Sequence, residues 1–205
     1  MNKLFQSEWI EVICGPMFSG KTEELLRKLN RLYWAKVPFI TFKPAIDTRG
    51  GTDNINSRDG RKWVTNPIKS SLDIFEILSK PENKKIKVVA FDEAQFLDNG
   101  IIDVVKTLAK NGYHVIIACL DKDWRAKPFG PVPELLAIAD QITKLSAICT
   151  ICTKEATFTE RVTNTNKDLI FIGDSDSYDA RCRIHHHSFK DIDSESDQLY
   201  KKFLK

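Results

Sequence analysis

The sequence predicts an α/β fold: a parallel sheet flanked by helices, with a small domain of different composition appended. Three observations predict it. Apolar strand segments alternate with amphipathic helical segments as far as residue 147. A glycine or an acid stands at the end of three of the apolar runs, where parallel sheets bind ligands. From residue 148 the texture changes, with three cysteines and three histidines scattered among short polar pieces. The 205 residues suit one domain with an appendage. The division read from the sequence is 1–147, 148–190 and a polar C-terminal tail, 191–205, that is loosely held or marginally helical.

The elements follow in order. "WIEVIC" (9–14) runs apolar into Gly15 as a buried strand should, and Leu25, Leu26, Leu29 and Leu32 recur at helical spacing over 20–33. "VPFITF" (37–42) is a second strand. Residues 43–62, rich in Gly, Asp, Asn and Ser, read as a long loop. A short helix over 71–80 precedes the apolar strand "KVVAFDE" (87–93). A helix over 99–112, stopped by Asn111-Gly112, leads to the strand "HVIIACLD" (114–121). The proline-rich 121–134 is a loop, "PELLAIAD" a helix and "QITKLSA" (141–147) a strand.

Composition narrows the function. Apolar residues at 42% and charged residues at 29% are those of a soluble globular chain. A net charge of +3, without a massed basic segment, allows anionic ligands and gives no reason to expect a nucleic acid polymer. No run of 18 apolar residues exists, so no membrane span is expected. "MNKLFQSEW" is too short and polar for a signal peptide, which points to the cytoplasm. In that reducing setting the five cysteines are not a disulfide framework. Cys14 and Cys119, inside apolar strands, read as small core residues, and His114 as structural.

"GPMFSGKT" fits G-x-x-x-x-G-K-[ST], the P-loop, and makes the predicted sheet P-loop NTPase-like. The residues are Gly15, Pro16, Met17, Phe18, Ser19, Gly20, Lys21 and Thr22. Such a loop curls so that backbone N–H groups point inward at an anion, and the following helix adds its positive end. Lys21 reaches the outer phosphates of a triphosphate, and the Thr22 hydroxyl takes one Mg²⁺ position. "VVAFDE" delivers two carboxylates to the same edge. Asp92 is placed to bind Mg²⁺, and Glu93 to accept a proton from an attacking hydroxyl or water.

"CTIC" and "CRIH" supply Cys149, Cys152, Cys182 and His185, two close pairs with the spacing of a structural Zn²⁺ tetrahedron. His186 and His187 compete with His185 by proximity.

Taken together, "GPMFSGKT", "KPAIDTR", "FDEAQF", "LDKDWRAKPFG" and "CTIC…CRIH" resemble the type II thymidine kinases, the cytosolic, thymidine kinase 1-like kind, in family order over about 9–190. The resemblance implies transfer of the γ-phosphoryl of ATP to the 5′-hydroxyl of thymidine, and also of deoxyuridine, giving dTMP for nucleotide salvage and DNA synthesis. It implies Mg²⁺ with ATP, structural Zn²⁺ in a lasso domain, a homotetramer, and dTTP as feedback inhibitor. By motif, Gly15 to Thr22 hold the donor's phosphates, Glu93 is the catalytic base, and Asp92 and Asp47 are acids of the metal region. Arg49 neutralises phosphate. Met17, Phe96, Leu120, Trp124 and Phe129 line the base pocket, though Met17 equally suits a packing role. Tyr178 either nears the nucleoside or anchors the zinc loop. Lasso backbone around Ile172 and Gly173 reads the thymine.

Three departures stand out. Ala94 replaces a glycine common in the family after the base, which is tolerable unless the position needs positive φ. The fourth zinc ligand is His185 rather than cysteine, and Arg58 precedes Asp59 where a histidine is common. The alternative reading is a nucleic-acid-dependent P-loop ATPase with a zinc ribbon. It shares the loop, the acids and the zinc, but it calls for a basic stripe that this chain lacks.

Overall fold

The computed structural model describes residues 5–48, 54–56, 62–163, 176–189 and 194–204. In chain order the elements are β1 (Trp9–Gly15), α1 (Lys21–Trp34), β2 (Phe39–Pro44), β3 (Asn54–Asn56), β4 (Lys62–Val64), β5 (Asn66–Ile68) and α2 (Asp73–Ser79). Then come β6 (Val88–Phe91), α3 (Ile101–Lys110), β7 (His114–Leu120), α4 (Val132–Ile138), β8 (Gln141–Lys144), β9 (Ala147–Ile148) and β10 (Glu155–Ala156). The last are β11 (Phe158–Arg161), β12 (Tyr178–Arg181) and α5 (Glu195–Leu204).

Six strands form the main sheet in the order β5-β2-β6-β7-β1-β8, every neighbour parallel. Period-two alternation divides its side chains between two layers. Val12, Cys14, Val89, Phe91, Val115, Ile117 and Cys119 pack with Ile74 of α2, the apolar stripe of α3, and Val132 and Leu135 of α4. On the other face Ile13, Val88, Ala90, Ile116 and Ala118 meet Leu25, Leu26, Leu29 and Leu32 of α1. Cys14 and Cys119 are core residues in register on adjacent strands, as expected.

Two elements differ from the sequence reading. The segment read as loop, 43–62, contains β3, which pairs with β4 at and just past the segment's end and lays Ile55 and Trp63 over the α1 layer. With three-residue strands it offers too few apolar positions to show a period. β5 is likewise short and carries Pro67, tolerable because it is the sheet edge. At the C-terminus the helical alternative holds, with ten residues in α5.

Among the described residues three short antiparallel pairs accompany the sheet: β3–β4, β9–β10 and β11–β12. The last two carry the cysteine-rich segment. No helix among the described residues is long and apolar enough to cross a membrane.

Candidate active site

All six strands run the same way, so β1, β6 and β7 end at one edge, and Gly15, Asp92 and Asp121 lie along it. Gly15 turns the chain at φ 151, and a Cβ there would sit 2.5 Å from the Leu145 carbonyl oxygen, so only glycine fits. Phe18 and Gly20 adopt left-handed backbone, φ 67 and 81, which curls the loop into α1. The Ser19 hydroxyl donates to the Pro16 carbonyl at 2.8 Å, and the Lys21 ammonium donates to the same oxygen at 2.7 Å. Burial lowers the pKa of Lys21, while the charges of Glu93 and Asp92 oppose that shift. A buried ammonium held by one neutral carbonyl is readily claimed by an anion of higher charge.

Asp92 reaches the Thr22 hydroxyl at 3.5 Å and accepts the Glu93 backbone N–H at 3.0 Å. Burial, then the neighbouring Glu93 charge, raises its pKa to about 7, with Lys21 opposing. Asp47, buried and 3.9 Å from the Lys43 ammonium, adds to the rise. Clustered acids beside a hydroxyl and a loop of N–H donors form the donor set that suits hard Mg²⁺ with a triphosphate. Asp121 is held ionised by Lys122 at 2.6 Å and Lys144 at 2.9 Å, against the effect of its burial.

Glu93 has φ 53 and opens the 3₁₀ turn Ala94–Phe96. That left-handed backbone costs a non-glycine residue roughly 1–3 kcal/mol and is typical of functional positions. Ala94 itself is not at positive φ, so its methyl needs no strain. Phe96 meets Phe129 edge-on, ring centroids 5.5 Å apart, and Leu120 is buried at the end of β7. Trp124 and Tyr178 share one cation: the Arg161 guanidinium lies 4.6 Å from the Trp124 ring and donates to the Tyr178 hydroxyl at 2.8 Å. The Met17 backbone N–H donates to the Thr159 hydroxyl at 2.9 Å, and Phe18 packs on the cysteine-rich core. The phosphate loop and the cysteine-rich segment are therefore in direct contact. Arg49, Arg58, Ile172 and Gly173 lie outside the described residues.

Sulfur and nitrogen ligands of Cys149, Cys152, Cys182 and His185 all lie within 4.8 Å of one another. Cys152 and Cys182 sulfurs are 3.7 Å apart, and the His185 Nδ1 is 3.3 Å from Cys182 and 3.7 Å from Cys149. Tetrahedral zinc, with bonds near 2.3 Å to sulfur and 2.0 Å to nitrogen, calls for edges of about 3.8 and 3.5 Å. The cluster therefore fits zinc. Burial opposes ionisation of Cys149, yet backbone N–H groups of Cys182, Ile151 and Cys152 bring its pKa down to about 5. Of the three adjacent histidines, His185 is the one whose ring lies among the three cysteine sulfurs. His186 is buried with its Nε2 on the Thr159 carbonyl at 3.1 Å, and His187 pairs with Glu160 at 2.8 Å.

Sequence reasoning missed Gln95, Thr159 and Arg161. Gln95 stands inside a quoted motif, whereas Thr159 and Arg161 sit in an ordinary-looking strand with no local signal.

A P-loop at the end of β1, two acids at the end of β6 on the same sheet edge and an attached Cys₃His cluster that could hold zinc point to a P-loop phosphotransferase. Comparison with known proteins agrees. The thymidine kinase family model matches residues 8–186, so this chain belongs to the thymidine kinase family. The chain is 46% identical over 185 residues to a thymidine kinase of Mycoplasmoides gallisepticum, covering 87% of this chain and 80% of that protein. It is 51% identical over 180 residues to a thymidine kinase of Mycoplasma genitalium, covering 87% and 83%.

Proposed function

We propose that this chain transfers the γ-phosphoryl of ATP to the 5′-hydroxyl of thymidine, giving dTMP for nucleotide salvage and DNA synthesis, and accepts deoxyuridine as well. The observation that carries the reading is the meeting, at one sheet edge, of the phosphate loop, the Asp92-Glu93 pair and the aromatic pair Phe96–Phe129.

The residues divide the work as follows. Loop N–H groups from Gly15 to Thr22, with Lys21 and Arg49, hold and neutralise the phosphates, since phosphoryl transfer depends on positioning and charge. Thr22, Asp92 and Asp47 hold Mg²⁺, which when bound offsets charge on the transferring group. Glu93 accepts the proton of the 5′-hydroxyl as that oxygen attacks the γ-phosphorus. Met17, Phe96, Leu120, Trp124, Phe129 and Tyr178 bound the flat apolar slot, and backbone near Ile172 and Gly173 reads the thymine edge. Cys149, Cys152, Cys182 and His185 hold zinc and keep the 148–190 lasso domain folded against the 1–147 nucleotide-binding domain. The assembly is a cytoplasmic homotetramer inhibited by dTTP.

Incubation with ATP, Mg²⁺ and a panel of nucleosides tests this. Monophosphates are expected from thymidine and deoxyuridine. Absence of both, together with ATP hydrolysis stimulated by single-stranded DNA, overturns the reading in favour of a nucleic-acid-dependent ATPase.

A further inference from the structure

We infer that Gln95 is a positioning residue for the Glu93 carboxylate, an inference that rests on Glu93 acting as the base. Gln95 is 2% exposed and lies two residues past Glu93, on the 3₁₀ turn that the left-handed Glu93 backbone begins. Its side chain spans two partners. The Oε1 accepts the backbone N–H of Leu120 at 2.9 Å, and the Nε2 donates to the Glu93 Oε2.

The orientation of the amide is forced. A backbone N–H only donates, so the carbonyl end of Gln95 must face Leu120, and the NH₂ end must face Glu93. The carboxylate thereby receives a hydrogen bond that fixes the position of one oxygen. Bridging the two partners calls for an acceptor at one end of the side chain and a donor at the other. Glutamate would set two carboxylates against each other, methionine offers no donor, and asparagine is one methylene too short to span the gap.

The brace is anchored on rigid parts. Leu120 ends β7, the strand buried along its whole length in the sheet. From outside, Gly130 at φ 49 closes over the Gln95 carbonyl oxygen, and a Cβ at residue 130 would lie 2.5 Å from it. The catalytic turn is thus clamped between the strand end and the loop that carries Trp124 and Phe129. Gln95 ties the reach of the base to the strand end that lines the acceptor slot.

A double-mutant cycle tests the assignment. Gln95→Met, Glu93→Gln and the pair are assayed for kcat, thymidine KM and melting temperature. Gln95→Met is expected to lower kcat about 10–100-fold, as loss of an orienting partner does elsewhere. Thymidine KM should stay within about threefold, since the bond matters when the proton leaves. In the Glu93→Gln background the same change should cost kcat nothing further, because Gln95 acts only through that carboxylate. An equal loss in both backgrounds, or an unchanged kcat in the single variant, overturns the inference. If Glu93→Gln alone keeps full kcat, the base assignment fails instead, whatever Gln95 does. Should Gln95→Met not fold, Gln95→Asn, which retains an amide for Leu120, is run through the same cycle and read by the same criteria.

Discussion

Leu25, Leu26, Leu29 and Leu32 of α1 close on Ile13, Ile116 and Ala118 with almost no exposure, and a second apolar layer fills the opposite face of the sheet. Among the described residues, the cysteine-rich segment gathers Ala147, Cys149, Ala156, Ala180 and Cys182 at its centre and buries Phe158 and Tyr178, while Ile148, Ile151 and Ile184 point outward at 58%, 56% and 71% exposure. Each buried leucine contributes about 1.5–3 kcal/mol, whereas an alanine contributes a fraction of that. The described sheet layers therefore bury many large apolar side chains, and the smaller region buries fewer. A structural zinc ion held by the Cys₃His cluster, with apparent binding free energy of roughly 10–16 kcal/mol in small zinc domains, would add to what the smaller region buries. Both regions nonetheless meet at the phosphate loop, through Met17 on Thr159 and Phe18 on the small core.

Stripping the metal is the largest perturbation that separates them. Chelation under mild denaturant should abolish hydrogen-exchange protection across β9 to β12 while β1, β6 and β7 stay protected. Thymidine phosphorylation should fall to background and return with added zinc. Cooperative loss of protection over both regions at once would show that the sheet is not self-sufficient.

The reverse perturbation is chemical rather than structural. Lys21→Met removes a buried ammonium whose burial already disfavours its charge. It should cut kcat on the order of 10³-fold, the scale of losing a main electrostatic contact to the transferring group. Melting temperature should stay put or rise, because a desolvated charge is replaced by an apolar chain of similar length. A large drop in melting temperature would mean that Lys21 is part of what holds the sheet.

The same contrast explains what the sequence let through. The sheet was legible because its central strands are continuous apolar runs and its helices carry a 3.6-residue pattern, and the loop, acids and ligand pairs lie at fixed local spacings. The β3–β4 hairpin and β5 escaped because three-residue strands are too short for a period. Residues such as Thr159 and Arg161 escaped for a different reason. Their partners, Met17 and Tyr178, are 142 and 17 residues away, and only the folded chain sets them side by side. The choice among His185, His186 and His187 likewise needed the ring positions.

A smaller effect probes the one charged intrusion in the apolar layers of β1. Glu11 is 4% exposed, with the Lys28 ammonium of α1 at 2.8 Å and His114 Nε2 at 3.8 Å. Burial alone would raise its pKa, but the neighbouring His114 and Lys28 carry it below the ordinary 4.5. The sign follows. The unfolded chain takes up this proton first, so the pair stabilises the fold fully above about pH 4.5 and loses that contribution as pH falls through the lower folded value. Lys28→Met should remove roughly 1–3 kcal/mol at pH 7 by leaving a buried carboxylate short of a partner. At pH 3 to 4 the deficit should shrink, because protonated Glu11 no longer needs the ammonium. Denaturant titrations of both proteins at pH 7 and pH 3.5 measure this. Acid also strips the metal ligands, but equally in both proteins, so the difference between them isolates Glu11. A deficit of the same size at both pH values would assign Lys28 a packing role and leave the sheet purely apolar in what holds it.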